Sequence, residues 1–138
     1  MPKKFNLAKK LTPRQQRDLD IEIHFIEGVV QRDPKFVEAL QILGDDYTRR
    51  GKFNEGLKID EKLAKLRPDD PTMLYNLACS YALTKHYGRA VAALGLAIEQ
   101  GYRDFKWLVK DPDLRDLRQH PLFKQIQLKI RAVKIKVK

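Results

Sequence analysis

A chain of 138 residues is the size of one ordinary domain, and its single cysteine, Cys79, admits no intrachain disulfide. No apolar run is long enough for a signal peptide or a membrane span, which argues against secretion and membrane insertion. The net charge of +10 sits at the ends: 1–17 and 124–138 hold six basic residues each and no acid, while 18–123 carries sixteen basic residues against eighteen acids. Together with the lone cysteine, this makes a reducing, cytoplasmic setting the expectation. The acid-free N-terminus leaves a mitochondrial-type leader open, although it lacks the serines usual in one and holds few arginines.

In chain order, residues 1–13 form a basic arm containing Lys3, Lys4, Lys9 and Lys10. Thr12-Pro13-Arg14-Gln15 reads as a helix start with a capping box, opening a leading helix over 14–32 whose Leu19, Ile23, Ile26 and Val30 share one face. Asp33-Pro34, Asp70-Pro71 and Asp111-Pro112 read as three further starts, with an aspartate to cap exposed N–H groups and a proline that sacrifices no useful donor. Gly51 and Gly101 stand where helices should end. The last segment has two readings. Phe123, Ile126, Ile130, Val133 and Val137 recur at helical spacing, whereas Val133, Ile135 and Val137 alternate with lysines as in a strand. Helix through about Ala132 with a frayed end is the expectation.

A period runs through these elements. Aligning 37–70 with 71–104 pairs Leu40 with Leu74, Leu43 with Leu77, Gly44 with Ala78, Tyr47 with Tyr81, Phe53 with Tyr87 and Gly56 with Ala90. A helix–turn–helix unit of 34 residues with this pattern resembles the tetratricopeptide repeat (TPR) family. The unit 71–104 matches through Leu74, Leu77, Ala78, Tyr81, Ala90, Leu94 and Ala97, and departs at Tyr102, where the family has proline. The unit 37–70 matches through Leu40, Leu43, Gly44, Tyr47, Gly56 and Pro68. It departs at Asp60 and Leu63, which suggests looser packing of its second helix. Residues 105–126, with Trp107 and Asp111-Pro112, look like the closing cap of bacterial TPR arrays, and 127–138 extend the last helix as a basic tail. The resemblance implies an all-α, right-handed solenoid of helical hairpins, an α–α superhelix of about seven helices, in which 14–126 is the folded domain. It also explains the small residues. Ala78 faces Ala90 where two helices cross, and Gly44 and Gly56 hold the same positions despite glycine's cost within a helix.

No spacing argues for catalysis, a cofactor or a metal. His24, His86 and His120 fall in separate segments, Cys79 has no partner at motif distance, and the glycines form no phosphate loop. The resemblance implies instead a non-enzymatic adaptor that holds a peptide or partner helix in the groove lined by the first helices. Its groove positions are Glu38, Gln41, Asp45, Thr48 and Arg49 in the first unit, and Thr72, Tyr75, Asn76, Cys79, Ala82 and Leu83 in the second. Asp45 stands where a carboxylate-binding clamp needs a neutral or basic residue, so the clamp is rejected. The alternative is binding of nucleic acid or another polyanion through the ends, by Lys3, Lys4, Lys9, Lys10, Lys129, Arg131, Lys134, Lys136 and Lys138, without a nucleic-acid motif in support. Self-association through the C-terminal helix is a further expectation.

Overall fold

The helix starts follow the caps. In the computed structural model, which describes residues 10–136, the Thr12 hydroxyl accepts from the Gln15 N–H (3.1 Å) and the Gln15 side chain accepts from the Thr12 N–H (2.9 Å). This box opens α1 (Pro13–Arg32). Asp70 accepts from the N–H groups of Thr72 and Met73 and opens α4 (Pro71–Leu83). Asp33-Pro34 is not a helix start. The Asp33 N–H closes α1 on the Val29 carbonyl, Pro34 lies in a turn, and α2 (Val37–Arg49) begins just beyond it with no side-chain cap.

The chain continues through α3 (Phe53–Leu66), α5 (Tyr87–Glu99), α6 (Phe105–Leu108), a 3₁₀ turn (Pro112–Leu114), α7 (Arg115–Arg118), a second 3₁₀ turn (Pro121–Phe123) and α8 (Lys124–Lys136). The described residues thus hold eight α-helices rather than about seven, because the closing segment is broken at Asp111-Pro112. They contain no strand, and the last helix runs through Lys136 instead of fraying near Ala132. Val133, half-buried against the main core, holds the last turns down. Lys3, Lys4, Lys9, Val137 and Lys138 lie outside the described residues.

The repeat register is physical. The first helices of successive units start at Val37, Pro71 and Phe105, and the second helices start at Phe53, Tyr87 and the turn at Pro121. The closing segment is therefore a third unit whose first helix is interrupted. The turns inside the first two units repeat as well. Gly51 has φ +84°, and Lys85, one repeat on, takes the same left-handed conformation at φ +65°. Past each, the N–H of Lys52 or His86 bonds back to the carbonyl of Tyr47 or Tyr81 at 2.8 Å, satisfying a helix-end acceptor. The Tyr81 hydroxyl donates to Glu61 (3.0 Å), and the Tyr47 hydroxyl donates to Glu27. The second pair is the first moved back by one repeat, which makes α1 the second helix of a preceding unit.

Helices pack in sequence order, α1 on α2, α2 on α3, α3 on α4 and α4 on α5, with α8 returning to α5. This is the all-helical, TPR-like hairpin solenoid that the register implied. The glycine pair does sit at a tight crossing. A Cβ on Gly56 would stand 2.9 Å from the Thr48 hydroxyl, and one on Gly44 would stand 3.1 Å from the Asp60 carboxylate. The expected loosening of α3 is absent. Asp60 is buried and accepts from Ser80 of α4, and Leu63 packs with Leu40 and Met73. A polar contact between α3 and α4 holds this position. The largest core joins α4 and α5 to the closing segment through Leu74, Leu94, Ile98, Leu108, Leu114, Leu117, Phe123 and Ile126, with Trp107 packed partly against it. A smaller cluster, Leu19 and Ile23 with Leu43 and Tyr47, docks α1.

Candidate protein-binding face

The face in question is built from the first helices of the units. On α2, Glu38, Gln41, Asp45 and Arg49 follow one another at steps of three and four and so share a side. Glu38 and Arg49 are exposed, Gln41 and Asp45 are half-buried, and the Gln41 amide lies 4.0 Å from the Met73 sulfur. Thr48 belongs to the hairpin interior. It is buried, donates to the Gly44 carbonyl (3.0 Å) and stands against Gly56. Ile42 was not among the expected residues, yet it is 43% exposed on the same helix. It holds the position of Asn76 one repeat earlier, so the register could have found it.

On α4 the expectation of an open groove is corrected. Tyr75 and Cys79 are fully buried, and Asn76 nearly so. The cause is the interrupted helix of the third unit, which swings Asp111 onto α4. Asp111 Oδ2 accepts from the Tyr75 hydroxyl at 2.6 Å and from the Cys79 thiol at 3.7 Å, while Oδ1 accepts from the Asp113 N–H at 2.9 Å. Arg118 donates to the carbonyls of Asp111 (2.8 Å) and Leu108 (3.0 Å), tying the two sides of the break together. Tyr75 also stacks on Tyr102, with centroids 4.3 Å apart and planes within 10°. Burial pushes the Tyr75 hydroxyl far above its ordinary range. Burial also raises the Asp111 carboxyl, against the pull of its hydrogen bonds from Tyr75 and Asp113. These groups lock the cap and are closed to a ligand.

What α4 still presents is half-buried Thr72 at its start and half-buried Leu83 at its end. Leu83 borders a cavity of about 330 Å³, whose walls include Phe53, Ala82 and Pro112 and whose polar lining is Asp113, Arg115 and Asp116. Asp113 and Asp116 lie one repeat beyond Cys79 and Ala82. They were missed because the register was not carried into the closing segment, whose proline obscures it. The chemistry here suits recognition, with carboxylates, one guanidinium and an apolar wall.

The other expected features lie elsewhere. Lys129, Arg131, Lys134 and Lys136 are all on α8, and Lys129 is already paired with Glu99 at 2.7 Å. A groove of about 390 Å³ between α5 and α8 is lined by Ile98, Val133, Arg103, Glu99, Lys129 and Lys136, so its basic groups share it with an acid. Two of the histidines serve local structure: His120 accepts from the Leu122 N–H, and His86 meets the Thr84 hydroxyl. Among the described residues no helix is long and apolar enough to cross a membrane.

Comparison with known proteins gives partial, distant likenesses. The chain is 34% identical over 106 residues to a chloroplastic protein of Arabidopsis thaliana, covering 72% of this chain and 30% of that protein. It is 36% identical over 90 residues to the peroxisomal targeting signal receptor of Komagataella phaffii, covering 64% of this chain and 16% of the receptor. It is 31% identical over 97 residues to the PEX5-related protein of Mus musculus, covering 70% and 17%. No family model matches the chain, and no solved structure matches it. The chain therefore spans less than a third of the length of these relatives, and the likeness supports a TPR-like helical repeat.

Proposed function

We propose that this protein is a non-catalytic interaction module that holds a segment of a partner protein along the face formed by α2, the ends of α4 and the interrupted third unit. The observation that carries this reading is the contrast along one surface. The middle of the α4 face, at Tyr75 and Cys79, is sealed by Asp111, whereas α2 keeps Glu38, Ile42 and Arg49 outward and Leu83 opens into the cavity beside Asp113 and Asp116. An apolar contact such as Ile42, set among acceptors and donors, is what recognition of an extended segment or a helix needs. Of the expected groove residues, Glu38, Gln41, Asp45, Arg49, Thr72 and Leu83 remain as contacts. Thr48, Tyr75, Asn76 and Cys79 support them from inside. The name of one relative, a receptor for a targeting signal, is consistent with recognition of a protein segment.

The test is capture from a nuclease-treated native lysate with mass-spectrometric identification. The wild type, an Ile42→Arg, Asp45→Arg variant and a variant with Lys124, Arg131, Lys134 and Lys136 changed to Gln would be compared. The reading predicts a discrete protein retained by the wild type and by the α8 variant, and lost by the face variant. Equal retention by the face variant, at unchanged thermal stability, overturns it.

A further inference from the structure

Resting on that reading, we infer that the cavity beside Leu83 receives a cationic side chain, lysine or arginine, from the bound protein segment. The chain as a whole is strongly basic, with a net charge of +10. Against that background, the lining of the cavity runs the other way, with Asp113 and Asp116 against Arg115. Lys106 and Lys110 of the same unit are exposed but do not line it, and Lys52 and Lys85 line a neighbouring depression that shares Phe53 and Leu83. The carboxylates also differ in setting. Asp113 is only 4% exposed and forms part of the inner wall of the cavity. Asp116 is exposed and shares its Oδ1 with Arg115 at 3.3 Å, a pair in which both side chains are more than half exposed. Surface pairs of that kind are weak and readily exchanged. The guanidinium of Arg115 thus offsets one carboxylate in part, and the cavity lining keeps a net negative charge.

Shape supports the same occupant. A space of about 330 Å³ admits a long side chain, and Phe53, Leu83 and Pro112 give the methylene stem of a lysine or arginine an apolar wall while its head reaches the exposed Asp116 carboxylate. An acidic or C-terminal carboxylate group would meet repulsion instead, in keeping with the absence of a carboxylate clamp at Asp45. Selectivity of this kind comes as much from rejecting the wrong charge as from attracting the right one.

The probe is a phage-displayed library of random short peptides selected on the whole purified chain. Recovered peptides are then synthesised, and their affinity is measured by fluorescence anisotropy. The inference predicts a recurrent Arg or Lys next to an apolar residue in the recovered sequences. Replacing that cation by Gln should weaken binding roughly tenfold, the loss typical of one well-placed charge contact. The same replacement should cost several-fold less against Asp113→Asn or Asp116→Asn, each checked for an unchanged melting curve. Asp116, being exposed, provides the variant that leaves the cap undisturbed. Peptides that lose affinity with Ile42→Gln and Leu83→Gln but carry no recurrent cation, or whose cation matters equally in both Asp variants, overturn the inference and leave the face assignment standing. Peptides indifferent to Ile42→Gln and Leu83→Gln, or a selection that yields no binders, overturn both.

Discussion

The Tyr75 hydroxyl donates to Asp111 at 2.6 Å across 36 residues of sequence, and through this bond the closing segment is fastened to α4. Both groups are buried, so removing either takes a hydrogen-bond partner from the other in a poorly solvated place. Asp111→Ala should destabilise the fold by about 2–4 kcal/mol, since it also removes an acceptor of the Cys79 thiol and of the Asp113 N–H. Tyr75→Phe should cost about 1–3 kcal/mol. Urea unfolding of the two single variants and the double variant reads the coupling, which should exceed about 0.5 kcal/mol. Losses that merely add would mean the bond contributes nothing.

The two hairpin glycines and the glycine of α1 should respond in opposite directions. Gly56→Ala pushes a methyl against the Thr48 hydroxyl, itself bonded to Gly44, and should cost about 1–3 kcal/mol by overpacking. Gly28 lies in mid-helix with nothing within 4 Å of an added Cβ, and Gly28→Ala should gain about 0.5–1 kcal/mol. Thermal unfolding of the pair distinguishes close approach from simple helix propensity.

Lys85 occupies the left-handed turn position that Gly51 fills one unit earlier. An L-residue with a side chain is strained there, so Lys85→Gly should stabilise by about 0.5–1 kcal/mol once the greater freedom of unfolded glycine is offset. A denaturant midpoint that falls instead would mean that the lysine side chain makes a compensating contact.

Asp46 of α2 is buried with Glu22 of α1 beside it. Burial first, and the Glu22 charge second, push its carboxyl from an ordinary value of 3.8 up to about 7. A group whose value is raised on folding binds its proton more tightly in the folded state. Its contribution to stability is therefore full below about pH 4 and lost as pH rises through about 7. The wild type should lose stability between about pH 4 and about pH 7, and Asp46→Asn should flatten that slope. Asp111, also raised, acts in the same direction, so the difference between wild type and Asp46→Asn is the informative quantity. An identical slope in the two proteins would remove Asp46 as the cause.

Much of this architecture is legible in the residues because it depends on local chemistry. Thr12 with Gln15, Asp70 with Pro71, and Gly51 each fix a helix end through contacts close by in the chain. The small residues Gly44 and Gly56 announce the close crossing. The proposed binding face is less legible because burial is decided by partners distant in sequence. Tyr75 looks like a ligand contact until Asp111 is brought onto it, and Asp60 looks like a packing defect until Ser80 meets it. Asp113 and Asp116 share the register of Cys79 and Ala82, but Pro112 interrupts the helical pattern that would have revealed it.

Where a protein segment binds decides between the α2 face and the basic α8. Amide hydrogen exchange of the whole chain, with and without a saturating peptide recovered by the library selection, measures this directly. The expected result is slowed exchange in 37–49, near Leu83 and across 112–118, with α1 and α8 unchanged. Protection confined to α8 or α1, with none on α2 or around Leu83, would contradict it.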